Sequence, residues 1–170
     1  MQLNLVRIDK VTLNIGVGQG GEKLENAKAL LKKLTGLQPV DTLSKTRNPT
    51  WKVRMGDAIG CKVTLRGENA VSVLKRVLDS LDFVLKPTSF DNNGNVSFGV
   101  KEYIDVPGLK YDPKIGILGF DVCVSLGKPG YRVMKRRIKP GKIPRKHRVS
   151  QKEAQEFLQK NFDVKFEEAA

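Results

Sequence analysis

The sequence predicts an α+β fold: a mainly antiparallel sheet with helices on one face and an open polar face on the other, plus a basic arm. Three observations predict it. Several short segments alternate apolar and polar residues, as strands do when only one face is buried. Two longer segments repeat apolar residues at helical spacing. Ten of the 31 Lys and Arg side chains lie in residues 128–148, a stretch of 21 residues without an acid, whereas the rest of the chain carries 21 basic and 18 acidic side chains.

The elements follow in order. Residues 10–17 alternate, with Val11, Leu13, Ile15 and Val17 on one side and Lys10, Thr12 and Asn14 on the other. Residues 22–35 place Leu24, Ala27, Leu30, Leu31 and Leu34 on one helical face and stop at Gly36, a natural C-terminal cap. Residues 38–44 form a weaker strand. Residues 45–57 are polar and basic, contain Pro49 and Gly56, and predict a loop or a long hairpin tip. Residues 60–66 alternate again, Cys61, Val63 and Leu65 facing in, Lys62, Thr64 and Arg66 facing out. Residues 68–81 give the clearest helix, with Ala70, Val71, Val73, Leu74, Val77, Leu78 and Leu81 on one side.

Residues 91–94 make a turn, residues 96–104 and 119–126 two more strands, and residues 106–116 are mostly loop. In the last strand Phe120, Val122, Val124 and Leu126 oppose Asp121, Cys123 and Ser125. Residues 128–148 hold too few apolar side chains to fold alone and predict an arm or loop. Ser150 and Glu153 then have the spacing of a capping box, opening a helix with Ala154, Phe157, Leu158 and Phe162. The expected units are therefore an α+β core over 1–127, the basic arm over 128–148, and a C-terminal capped helix and tail over 149–170.

With 170 residues and a net charge of +13, the chain is one domain or a domain with a basic extension. No apolar run approaches the roughly 18 residues of a membrane span. Asp9, Lys10 and Asn14 interrupt any signal-like apolar stretch, so a soluble, cytoplasmic protein is expected. Cys61 and Cys123 predict buried reduced thiols. Two cysteines and one histidine fall short of the four ligands of a structural zinc site, so no metal is expected, and no cofactor.

Enzyme chemistry has one sharp candidate. Gly16, Gly18 and Gly21 satisfy the dinucleotide fingerprint between a strand and a helix, with Asp41 about where a ribose-binding acid would stand, which makes a small nucleotide-dependent enzyme the alternative reading. Against it, a dinucleotide-binding first strand is buried on both faces, whereas this one exposes Thr12 and Asn14, and no repeated βαβ units follow. The lone histidine, His147, sits among cations, where RNA contact or plain exposure fits better than general-base work. No catalytic residue is expected.

RNA binding fits more of the chain. Clustered cations favour a polyanion through phosphate neutralisation and counterion release. The arm supplies Lys128, Arg132, Lys135, Arg136, Arg137, Lys139, Lys142, Arg145, Lys146 and Arg148. Its prolines and glycines argue against an amphipathic membrane-surface helix. On the sheet, short donors at Thr12, Asn14 and Thr64, flanked by Lys62 and Arg66, suit sugar hydroxyls and phosphates, or are simply a solvated face. In residues 45–54, Lys45, Arg47, Lys52 and Arg54 surround Trp51, which either stacks on a base or, the plainer reading, anchors the loop on the core. A nonspecific basic chaperone of nucleic acid is a further reading.

Three stretches carry a resemblance. Residues 10–18 read Lys-Val-Thr-Leu-Asn-Ile-Gly-Val-Gly; residues 60–68 read Gly-Cys-Lys-Val-Thr-Leu-Arg-Gly-Glu; and residues 89–95, Ser-Phe-Asp-Asn-Asn-Gly-Asn, precede Phe98-Gly-Val-Lys-Glu102 and Tyr111-Asp112. In order and register over about residues 5–127, these resemble the first-strand, third-strand and central motifs of the large-subunit ribosomal protein number five family. The basic insertion after residue 127 resembles the archaeal form. The resemblance implies a non-enzymatic, ribosome-bound protein whose sheet holds 5S rRNA in the central protuberance, through Thr12, Asn14 and Thr64. It implies that the 45–54 loop reaches P-site tRNA, that another surface meets large-subunit rRNA, and that a bridge reaches a protein of the small-subunit head. The bacterial Gly-Gln-Lys-Pro appears here as Gly36-Leu-Gln38-Pro39, which carries a glutamine contact to Gln38 only with a shift.

Overall fold

The computed structural model describes residues 5–166, so the first four and last four positions of the expected outer units lie outside it. Five strands make one antiparallel sheet: β1 (Arg7–Gly16), β2 (Val40–Leu43), β3 (Ala58–Leu65), β5 (Val96–Val100) and β6 (Phe120–Gly127), in the spatial order β2-β3-β1-β6-β5. The long helices α1 (Glu22–Thr35) and α2 (Gly67–Asp79) cover one face, packing against β3 and β1. The alternation in the sequence decides which face. Val11, Leu13, Ile15, Cys61, Val63, Leu65, Val122 and Val124 are buried under the helices, and the intervening residues line the open face.

Helix α1 ends where the pattern said, because Gly36 adopts φ 72° and its N–H closes the last turn on the Lys32 carbonyl. Gly60 is also conformationally committed: a β-carbon there would lie 2.5 Å from the Ile15 carbonyl oxygen, so β3 approaches β1 only without a side chain.

Several expected boundaries shift. The strand read over 96–104 stops at Val100, and Tyr103–Asp105 is a short 3-10 turn. Tyr103 is fully buried, and its hydroxyl accepts a hydrogen bond from the Asp112 N–H at 2.9 Å, pinning the following loop. The weak strand over 38–44 is real but short. Beyond the pattern's reach are two small pieces: the two-residue β4 (Val84–Leu85) and β7 (Lys165–Phe166), paired in parallel. They tie Lys165 and Phe166 back to the segment that follows α2, helped by an edge-to-face contact between Phe90 and Phe166 at 5.5 Å.

The basic segment contains one α-helical turn, α3 (Arg132–Lys135), and a 3-10 turn at Arg145–His147, and is followed by α4 (Gln151–Phe162). The capping box at α4 is complete: Ser150 accepts from the Glu153 N–H, and the Glu153 carboxylate accepts from the Ser150 N–H, a motif worth about 1 kcal/mol. Ala154, Leu158 and Phe162 of α4 join the same core as the sheet.

The topology removes the dinucleotide-binding alternative. β1 has antiparallel neighbours on both sides, so Gly16–Gly21 is a strand-to-helix turn with no βαβ crevice. Asp41 forms an ion pair with Lys28 at 2.9 Å on the β2 edge, which occupies the acid a ribose would need.

Candidate nucleic-acid interface

Strand pairing puts the open face in rows. One row runs Thr64–Thr12–Cys123–Ser97 across β3, β1, β6 and β5. The next runs Val40–Lys62–Asn14–Asp121–Gly99 across all five strands. Apart from Val40 at the edge, these rows are polar and mostly short-chained, with no aromatic side chain among them. A sheet surface of this kind lets a sugar–phosphate backbone come close to the main chain, with hydroxyls and amides in reach of ribose and phosphate oxygens. Thr12, Asn14, Lys62 and Thr64 are thus brought together. Gln38, just before β2, lines a shallow hollow with Lys62 and Thr64 and joins the same surface.

Arg66 stands at the rim. It donates to the Asp9 carbonyl at 3.1 Å and pairs with the Asp9 carboxylate at 3.4 Å. Asp9 is the extra residue of a β-bulge, since Ile8 faces Leu126 and Lys10 faces Ser125. Its carboxylate also takes the Lys135 ammonium of the arm. Burial alone would raise the Asp9 pKa, but the Lys135 bond and the charges of Lys135, Arg66 and Lys10 outweigh it and hold it below the usual 3.8.

The 45–54 loop is a stiff tip. The Asn48 side chain accepts from the Thr50 N–H at 3.1 Å, Asn48 and Val53 form a bridge, and the Arg54 N–H donates to Asp57 at 2.8 Å. Lys45, Arg47, Lys52 and Arg54 are all exposed. Trp51 is 76% exposed, so it does not anchor the loop on the core. Asn48 and the tight turn hold the loop instead, and the indole is free to stack.

The arm departs most from expectation. Its neck is stapled to the fold. The Tyr131 hydroxyl accepts from the Val149 N–H at 2.8 Å, the His147 ring nitrogen Nε2 lies 2.8 Å from the Pro129 carbonyl oxygen, and Ile143 is buried. His147, read from sequence as RNA-facing or solvated, closes the neck. Lys128 is the clearest correction among the arm cations. It is 4% exposed, and its ammonium bonds Glu153 at 2.7 Å inside the neck, because a buried ammonium requires a partner. Arg132, Arg136, Arg137, Lys139, Lys142, Arg145, Lys146 and Arg148 remain exposed beyond or at the neck. Lys135 is exposed but leans on Asp9.

The two thiols also divide. Cys61 is buried under the helices, where burial, with Asp41 nearby, pushes its pKa up to about 11. Cys123 is half-buried in the polar row rather than in the core. Sequence reading missed Ser97, Ser125 and Asp9 as part of this surface. The alternation of residues 119–126 already marked Ser125 as outward, but only the register shows which outward residues meet.

Comparison with known proteins gives the chain a family. Residues 2–54 match the family described as Ribosomal protein L5, and residues 58–166 match the ribosomal L5P family C-terminus. The chain is 48% identical over 164 residues to the large ribosomal subunit protein uL5 of Methanobrevibacter smithii, covering 96% of each chain. It is 52% identical over 159 residues to that of Sulfolobus acidocaldarius, covering 94% of this chain and 89% of the relative. The uL5 of Nanoarchaeum equitans is 49% identical over 160 residues, covering 94% of each. The chain therefore belongs to the ribosomal protein L5 family, structural and non-enzymatic constituents of the large ribosomal subunit whose partner is ribosomal RNA.

Proposed function

We propose that this protein, working on the ribosome in the cytoplasm, holds 5S rRNA against its open sheet face and so anchors it in the central protuberance. The observation that carries the reading is the register-locked row of Thr64, Thr12, Cys123 and Ser97, with Lys62 and Asn14 in the row beside it. The sheet fixes these groups to within the precision of a ladder, so they set the position of the RNA, while cations supply most of the attraction. In the same reading the core over 1–127 carries the 5S surface, and the arm over 128–148 is a separate unit that engages large-subunit rRNA through its exposed cations. The stiff 45–54 tip, with Trp51 76% exposed, reaches P-site tRNA, and a further edge bridges to a protein of the small-subunit head.

A titration of the purified protein with 5S rRNA at near-physiological salt, with excess tRNA as competitor, tests it. Binding that survives the competitor supports recognition by the sheet. Complete loss to tRNA leaves charge as the only attraction and overturns the assignment.

A further inference from the structure

The arm does more than carry charge, because it builds one wall of a cleft. Between the bulged end of β1, the 91–95 turn and the neck of the arm lies an opening of about 350 Å³, within the size range of small-ligand sites. Its floor is the sheet itself: Lys10 and Ser125 face each other there, adjacent to the Thr12–Cys123 pair of the open face. The cleft therefore adjoins the polar rows, in the next open-face row along the strands from Thr12 and Cys123.

The lining differs in chemistry from the rest of the basic surface. The turn contributes Asn93 and Asn95. The Asn93 N–H is already bonded to Asp91 at 2.9 Å, which leaves its side-chain amide as the group a ligand would meet. The arm contributes Met134, half exposed, and Tyr131, whose hydroxyl is fixed by Val149 and whose ring meets His147 edge-on at 6.1 Å. Arg148 stands on the same lining. A neutral amide, an apolar thioether and an aromatic wall, with Lys10 and Arg148 beside them and the Asp9 carboxylate held by Lys135, match a nucleobase and its phosphate better than a bare phosphate.

The walls are also held in place. Gly94 leaves no room for a β-carbon, which would lie 2.6 Å from Val149 Cγ1, so the turn is packed directly onto the exit of the arm. On the other side the Lys135–Asp9 pair joins the arm to the bulge. The cleft is thus formed before any ligand arrives, which lowers the ordering cost of binding.

We propose that this cleft receives one unpaired nucleotide of the bound RNA, its base against Met134 and Tyr131, its edge read by Asn93, and its phosphate near Lys10 and Arg148. The proposal rests on the reading of the open face as an RNA surface and assigns the arm a base-reading part in it. The test is made so that the two fail separately. The full-length, isotope-labelled protein is titrated with a short single-stranded oligoadenylate and with an abasic oligomer of the same length and charge.

The expected result is that the oligoadenylate shifts the Asn93 side-chain amide and the Met134 methyl resonances, while the abasic oligomer leaves them in place. Met134→Ala, which removes the thioether, and Asn93→Ala, which removes the amide, each weaken the oligoadenylate about tenfold, in the range of one base contact, and leave abasic binding unchanged. Identical shifts from both oligomers, no shift at the cleft, or unchanged affinity in both variants would overturn the proposal. None of those outcomes touches the 5S reading, which stands or falls on the tRNA competition.

Discussion

The open sheet face and the basic arm could each be described as an RNA surface, yet they are built on opposite principles. The sheet face is dense in short polar groups and poor in net charge: Lys62 has Asp121 in its own row, and Arg66 leans on Asp9. Its positions are set by the ladder. Beyond its neck, the arm carries Arg132, Lys135, Arg136, Arg137, Lys139, Lys142, Arg145 and Lys146 with no acid, on a backbone whose regular structure is two short helical turns. Order in the arm is concentrated at the neck, where Tyr131, His147 and the Lys128–Glu153 pair close it. The difference separates two jobs that one surface performs poorly. Charge attracts at a distance and tolerates misplacement; register discriminates and does not.

The sharpest way to break that division is to discharge the arm. Replacing Arg136, Arg137, Lys139 and Lys142 together with Gln should lower the slope of log K against log salt by about 3, at roughly 0.7–0.9 per lost phosphate contact. Preference for 5S rRNA over tRNA should persist. An unchanged slope, read from binding isotherms across salt, would mean that the arm tip does not touch RNA.

Next in size is the neck. Glu153→Gln removes the carboxylate from the Lys128 ammonium, which stays almost fully buried, and should cost about 1–2 kcal/mol in thermal or denaturant unfolding, moderated because Glu153 is partly exposed. Burial by itself would raise the Glu153 pKa, but the bonds from Lys128 and Ser150 hold it below 4.5. The sign follows: this stability is fully present above about 4.5 and is lost as pH falls through the lower folded value. Acid should therefore destabilise the wild type more than Glu153→Gln, and parallel losses in the two proteins would remove the pair from the account.

Asn14→Asp puts a second acid beside Asp121 in one row and should weaken 5S rRNA roughly tenfold with little change in unfolding. Equal weakening of tRNA would deny the sheet its selectivity. The smallest effect is that of Tyr131→Phe, which deprives the Val149 N–H of its acceptor and should cost about 1 kcal/mol. The salt slope should not move, because no cation is lost. A changed slope would show that the neck orients the arm cations.

How much was legible depended on the range of the interaction. Helix α1 was bounded to the residue, because helical spacing and a C-terminal glycine are local signals. The inward set Cys61, Val63 and Leu65 followed from period-two alternation. The strand over 96–104 was drawn too long because burial of Tyr103 in a turn mimics a strand's apolar position. The two-residue β4 and β7 carry no periodicity at all. Trp51 departs from its core-anchor reading for a related reason: an aromatic residue in a loop has no local mark telling a core anchor from an exposed plate.

The sequence by itself determined the α+β layout, the buried and open faces of β1, β3 and β6, the capping box at Ser150, and the placing of the charge in one segment. All of these are properties of neighbours in the chain. The tertiary structure decided which outward residues share a row, that Asp9 bulges out to meet both Arg66 and Lys135, and that Lys128 leaves the basic set to pair with Glu153. It also decided that the arm returns to wall a cleft beside the sheet. Each of those joins residues far apart in sequence, and their meeting depends on strand register and chain closure, which no local pattern encodes.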